Sequence, residues 1–349
     1  MAATRGSSSV LSIEDEKAPE FVDSVRQQIV QEVGKRIVGM HDILDELLVS
    51  MFAGGHCLLV GVPGLAKTLL ISTLADAMSL TFKRIQFTPD LMPTDITGTE
   101  VLQEDAATKE KVFRFFKGPL FANIVLADEI NRTPPKTQAA LLEGMQERKV
   151  SVAGDDYPLP EPFFVLATQN PIELEGTYPL PEAQLDRFLF LVKLGYPDKN
   201  QELDIIRLVT GTTEESVEPV VAAEQILAIQ SLVRQVPAAD HILEYATALV
   251  RRTRPEEPDA PDYVKRWVSW GAGPRASVGL ILAGKSRALL NGRLYVSIED
   301  IQALAKPVIR HRIFLNYVAQ SEGASPDGII EKLIETTPAD EKLYGNRAG

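Results

Sequence analysis

Lys67 and Thr68 close an eight-residue run, Gly61-Val-Pro-Gly-Leu-Ala-Lys-Thr68, in which small residues lead to a cation and a hydroxyl. A turn of this kind that opens a helix aims backbone N–H groups at one point, where the helix dipole also favours an anion. Gly61, Pro63, Gly64, Leu65, Ala66, Lys67, Thr68 and Leu69 are therefore candidates for wrapping a chain of phosphates. Lys67 would reach the β- and γ-phosphates, and the Thr68 hydroxyl would hold Mg2+. The general form of such a loop carries glycine where this chain has Ala66, which is tolerable if that φ is helical and strained if it is positive. Asp128 and Glu129 stand together at the end of an apolar run. One carboxylate on Mg2+ and a second orienting a water is what nucleoside triphosphate hydrolysis needs; a pair capping a helix is the structural alternative. Asn170 could hold that water or touch the γ-phosphate, or could simply form the turn before Pro171. Arg187 and Arg275 are candidates for neutralising charge that develops in the transition state, or are ordinary surface arginines. Ile37, Val38 and Gly39 could contact an adenine, or merely break a helix.

Other chemistries find little support. The four histidines, His41, His56, His241 and His311, lack ligand spacing, and with a single cysteine zinc is not expected. Neither a Gly-x-Ser-x-Gly elbow nor a catalytic cysteine setting is apparent.

Five apolar runs must position these residues. Cys57–Val60 reads as a strand before the loop, and Leu69–Met78 as the helix after it. Thr81–Phe87, Asn123–Ile130, Glu161–Pro171 and Arg187–Leu194 read as further strands, apolar throughout. Strands alternating with helices predict an α/β parallel sheet covered on both faces, and in such sheets ligands sit at the carboxyl ends of the strands. Helices are expected at Glu20–Arg36, His41–Phe52 and Pro134–Arg148. Thr88–Thr99 reads as loop, Glu100–Lys117 as an inserted hairpin whose Phe113, Phe115 and Phe116 need cover, and Lys149–Leu159 as a hairpin turning at Gly154-Asp155. Beyond Gly195 strand-like runs cease and helices dominate: Gln201–Val209, Ala222–Val236, Ala239–Arg251, Ala276–Leu290 and Ile298–His311, with Arg254–Asp262 an interhelical loop. The expected organisation is a disordered tail (1–19), an α/β domain (20–197) with an insertion near 98–117 and a hairpin near 149–159, a linker (198–215), an all-helical second domain (216–335) and a tail (336–349).

The 349 residues suffice for two domains. A net charge of −12 disfavours nonspecific binding to nucleic acid or anionic lipid. The sequence shows no apolar run long enough to span a membrane, no secretory h-region at its N-terminus and no cysteine pair for a disulfide, which together point to the cytoplasm.

Seven stretches combine into a familiar pattern: IVGM (37–40), GVPGLAKT (61–68), QFTPDLMPTDITG (86–98), IVLADEINR (124–132), ATQNP (167–171), EGTYPLPEAQLDRF (175–188) and GPRAS (273–277). On these the chain resembles the MoxR family of AAA+ ATPases, within the helix-two-insert clade. The resemblance implies a P-loop NTPase fold with a small helical lid, ATP and Mg2+ as cofactors, and ATP hydrolysis as the activity. It accounts for Ala66, since Ala-Lys is usual in that family's loop. Lys67 and Thr68 correspond to Walker A, and Asp128 and Glu129 to Walker B. Asn170 corresponds to sensor 1, Arg187 to an arginine finger donated to a neighbouring subunit, and Arg275 to sensor 2 on the lid. Similar proteins form hexameric rings and act as chaperones with partners carrying von Willebrand factor A domains. Two alternatives remain open: the AAA+ subunit of a magnesium-chelatase-type complex, and a nucleotide-dependent scaffold without turnover. DNA remodelling is disfavoured by the acidic charge.

Overall fold

Five of the apolar runs form one parallel sheet: β1 (Cys57–Val60), β2 (Phe82–Gln86), β3 (Ile124–Asp128), β4 (Phe164–Gln169) and β5 (Phe190–Lys193). Their order across the sheet is β2-β3-β4-β1-β5, and every neighbouring pair is parallel. These come from a computed structural model that describes residues 17–104, 111–172, 176–211 and 215–339. Of the expected tails (1–19 and 336–349), residues 1–16 and 340–349 lie outside the described residues, as do 105–110 of the insertion, 173–175 and 212–214.

The alternation of side chains along a strand divides the core in two. Cys57, Leu59, Leu126, Leu166 and Val192 face one side, where they pack with the helices Ala18–Gly34, His41–Phe52 and Lys67–Ala77 and with the carboxyl-terminal helices. Leu58, Val125, Ala127, Val165 and Ala167 face the other, against Leu141, Leu142 and Met145 of the helix Pro135–Glu147. Both faces being covered is why these strands read as unbroken apolar runs rather than as alternating ones. β2 is the exception. At the sheet edge, Lys83, Arg84 and Gln86 are exposed.

Two antiparallel hairpins leave the sheet. Gly98–Glu104 pairs with Lys111–Lys117, and Lys149–Val152 with Asp155–Pro158. Phe115 of the first stacks on Tyr157 of the second at 4.1 Å between ring centroids and meets Phe121 edge-on. That gives Phe115 its cover, while Phe113 and Phe116 stay exposed. The second hairpin turns at Ala153-Gly154, one residue earlier than expected, because both residues take left-handed φ (52° and 99°) and Asp155 already belongs to the returning strand.

Three further differences have local causes. Within the expected loop 88–99, Pro93–Thr97 forms a short helix; proline at its first position is preset for helical φ, and the Asp95 carboxylate accepts from the Met92 N–H. The helix expected at Gln201–Val209 extends to Lys199–Thr210 and fills most of the expected linker, capped by Asp198, whose carboxylate accepts from the backbone of Asn200 and Gln201. The carboxyl-terminal domain is not purely helical, since Val268–Trp270 pairs antiparallel with Phe314–Leu315. Helices Asp262–Trp267, Tyr317–Ser321 and Pro326–Thr336 add to the four expected there.

Candidate active site

The carboxyl ends of β1, β3 and β4 open on a cleft of about 540 Å³. Pro63, Gly64, Leu65, Ala66, Lys67, Thr68, Leu69, Asp128, Glu129 and Asn170 line it, together with Arg84, Gln86 and Thr168. Ten residues singled out from the sequence thus meet in one place.

The loop after β1 is built on close approach. A Cβ on Gly61 would fall 2.8 Å from the carbonyl oxygen of Leu194, so only glycine lets β1 run this near the end of β5. Gly64 takes φ +84°. Ala66 takes φ 52°, ψ 25°, so the conditional worry about its methyl is realised: a left-handed alanine sits directly before the helix Lys67–Ala77. Such strain, of order 1 kcal/mol, persists only where surrounding structure enforces it and is frequent at functional sites. The Lys67 ammonium donates to the carbonyl of Gly61, inside its own loop. Burial lowers its pKa, while the charges of Asp128 and Glu129 pull the other way.

Opposite the loop, both oxygens of Asp128 are engaged. Oδ1 accepts from the Thr168 hydroxyl at 2.7 Å, and Oδ2 accepts from Arg84 Nε at 3.0 Å and Nη2 at 2.6 Å. Glu129 sits at φ 57°, another left-handed non-glycine residue, and its N–H donates to Thr168 Oγ1 at 2.8 Å. Its Oε2 accepts from Gln86 Nε2 at 2.9 Å and Arg132 Nη1 at 3.0 Å. Thr168, buried in β4, is thus one strut holding both carboxylate residues. Asn170, two positions on and also buried, accepts from the Ile172 N–H through Oδ1, so what its amide offers a ligand is donation from Nδ2.

Thr68 and Asp128 offer a hydroxyl and a carboxylate, oxygen donors that suit a hard cation such as Mg2+. No group of three or more His, Cys, Asp or Glu able to hold a metal occurs among the described residues. A cation here would complete its shell with water and with the oxygens of a bound phosphate chain, as Mg2+ at nucleotide sites does.

The remaining candidates lie elsewhere. Arg187 donates to the carbonyl of Leu142 at 2.9 Å and lines a separate hollow of about 300 Å³ with Glu143, Glu147 and Gln184. Arg275, in the first turn of Pro274–Leu290, reaches Asp186 at 3.6 Å. Asp186 also accepts from the buried Arg312, which donates as well to the carbonyls of Phe188 and Leu189. The triplet Asp186-Arg187-Phe188 therefore ties the lid with its first residue, presents its second at another surface and buries its third. Ile37, Val38 and Gly39 do not line this cleft; Gly39 lines a separate hollow of about 420 Å³ with Met40, Ile43, Lys193 and Arg310. Ile37 is committed to the core, and Gln201 lies against Gly39, donating to its carbonyl at 3.3 Å. Gly39, at φ 75°, serves the break between two helices.

Arg84, Gln86 and Thr168 went unnoticed in the sequence. The signal was present: Arg84 and Gln86, like Thr168 and Asn170, are polar residues two apart, on one face of a strand.

A phosphate-binding loop after β1, a carboxylate pair at the end of β3 with β4 between the two strands, and a helical domain behind them define a P-loop NTPase fold of the AAA type. Residues 56–190 match the ATPase family associated with various cellular activities (AAA), and residues 263–333 match the AAA lid domain. The chain is 44% identical over 310 residues to chaperone MoxR1 of Mycobacterium tuberculosis, covering 89% of this chain and 81% of that one. It is 32% identical over 322 residues to protein MoxR of Methylorubrum extorquens, covering 88% and 93%. A crystal structure of a candidate ATPase from Cytophaga hutchinsonii superposes with a TM-score of 0.86 at 42% identity, covering 94% of this chain and 98% of that one. The chain belongs to the MoxR family of AAA+ ATPases.

Proposed function

We propose that the chain hydrolyses ATP to ADP and phosphate in the cleft below β1, β3 and β4, with Mg2+, and does so as a ring of identical subunits. The carrying observation is that Lys67, Thr68, Asp128, Glu129 and Asn170 line one cleft whereas Arg187 lines another. The loop N–H groups and Lys67 bind the phosphates. Thr68 and Asp128 hold the cation, whose bound form shields phosphate charge. Glu129 orients the attacking water as base, and Asn170 donates to that water or to the γ-phosphate. Arg187 serves the site of the adjacent subunit, so hydrolysis depends on assembly; a head-to-tail contact of this sort closes into a ring, here a hexamer. Arg275, on the lid, joins the nucleotide when the lid closes, leaving its 3.6 Å contact with Asp186. The work done is chaperone-like remodelling of a partner complex in the cytoplasm, through a protein bearing a von Willebrand factor A domain. The likeness to chaperone MoxR1 supports the chaperone-like part of this reading. No helix among the described residues is long and apolar enough to cross a membrane, and the charge of −12 argues against nucleic acid as the client.

Phosphate release tests the reading. Glu129→Gln should bind ATP as the wild type does yet lose about 100-fold or more in turnover, the scale of general-base catalysis; normal turnover would remove Glu129 from this role. Arg187→Ala and Lys67→Ala should each be inactive alone, and mixing them should restore part of the activity. Mixed rings that form without regaining activity would refute action in trans.

A further inference from the structure

Arg84 occupies the carboxylate that the proposed reaction needs for its cation. On the edge strand β2, Arg84 pairs in register with Leu126 and Gln86 with Asp128, so both side chains reach the carboxyl end of β3. Arg84 donates twice to Asp128 Oδ2, from Nε and Nη2, and Nη2 also donates to Gln86 Oε1 at 2.6 Å. Gln86 Nε2 in turn donates to Glu129 Oε2. One chain of hydrogen bonds, Asp128–Arg84–Gln86–Glu129, thereby joins the two carboxylates. Two donors saturate the lone pairs of Oδ2, and Thr168 takes a position on Oδ1. A divalent cation approaching Asp128 would meet a carboxylate that is already neutralised, with a guanidinium beside it.

The arginine is not locked there. Its side chain is 47% exposed and lines the same cleft as Lys67 and the phosphate loop. A guanidinium prefers bidentate contact with phosphate as readily as with carboxylate. We propose that Arg84 is a charge-exchange residue: a metal–nucleotide complex splits the Arg84–Asp128 pair, sending Arg84 to phosphate oxygens and freeing Asp128 for the cation. The cleft thus discriminates against a free divalent cation and admits it together with the anion that replaces Asp128 on Arg84.

This inference rests on reading the cleft as a Mg2+–ATP site, and the test separates the two. Mn2+, standing in for Mg2+, is titrated without nucleotide and read by electron paramagnetic resonance. A fluorescent ATP analogue is titrated in EDTA. Wild-type protein should bind Mn2+ weakly. Arg84→Met, checked for an unchanged thermal melt, should bind Mn2+ about tenfold more tightly, a change worth ~1.4 kcal/mol. Adding Asp128→Asn should abolish that gain. The metal-free analogue should bind Arg84→Met about tenfold more weakly on the same scale, and Arg84→Lys, which keeps the charge without the fork, should fall between. An unchanged Mn2+ affinity, or an unchanged analogue affinity, in both Arg84 variants overturns the exchange. Failure of wild-type protein to bind the analogue either in EDTA or in the presence of Mg2+ overturns the nucleotide reading instead.

Discussion

Thr168→Val isolates the strut that positions the catalytic pair. Valine nearly matches threonine in volume, so the change leaves no cavity, but it removes one hydroxyl that serves two bonds in a site that is 1% exposed. The first is its donation to Asp128 Oδ1 at 2.7 Å. A hydrogen bond to a charged group is worth about 1.5–3 kcal/mol. The second is its acceptance from the Glu129 N–H at 2.8 Å; that N–H would be left without this partner, at roughly 1–3 kcal/mol. Because Arg84 still holds Oδ2, some of the loss at Asp128 is recovered, and a net destabilisation of about 3 kcal/mol is expected. The functional effect should exceed that of a peripheral mutation of equal cost. Glu129 sits in a left-handed conformation that this bond helps to hold, and a displacement of an ångström in a catalytic base can lower rate by about 100-fold. Urea unfolding followed by far-UV circular dichroism reads the first effect, and phosphate release under saturating ATP reads the second. Thr168→Ser keeps the hydroxyl and should retain turnover while losing about 1 kcal/mol for its buried methyl. If Thr168→Val unfolds within 0.5 kcal/mol of wild type (about the spread of neutral substitutions) and hydrolyses ATP normally, the strut has no role.

Two other outcomes follow from local geometry. Ala66→Gly should stabilise the nucleotide-free protein by roughly 0.5–1 kcal/mol, since it relieves the left-handed alanine more than it costs in chain entropy; a lower melting temperature would contradict the strain. His56 is buried with Nδ1 accepting from the Val165 N–H at 3.0 Å, so Nε2 carries the proton and donates to the Met145 carbonyl. Burial holds its pKa down to about 4 from an ordinary 6.5. The unfolded chain therefore takes up a proton between those values that the native protein refuses. His56's contribution is complete above pH 6.5 and lost as pH falls toward 4, amounting to about 3 kcal/mol. A His56 imidazole resonance that titrates above pH 6 would show that its charge is tolerated.

The sequence determined the sheet and most of the site. β1, β3, β4 and β5 are covered on both faces, and that burial demands apolar runs that no helix period explains. The loop and the carboxylate pair stand at the ends of such runs, where a parallel sheet must place them. The short helix Pro93–Thr97 within Thr88–Thr99 and the one-residue shift of the hairpin turn are not legible in the sequence, because capping by Asp95 and the paired left-handed φ of Ala153 and Gly154 depend on local backbone geometry. Only the tertiary structure could decide three matters. It placed Ile37 in the core and Gly39 under Gln201, since contacts between residues 162 positions apart leave no mark on spacing. It separated Arg187 from the cleft, because the direction of a loop side chain is set by what packs around it, here the carbonyl of Leu142. It brought Arg84 and Gln86 onto Asp128 and Glu129, because register between neighbouring strands, more than forty residues apart in the chain, fixes which polar side chains meet.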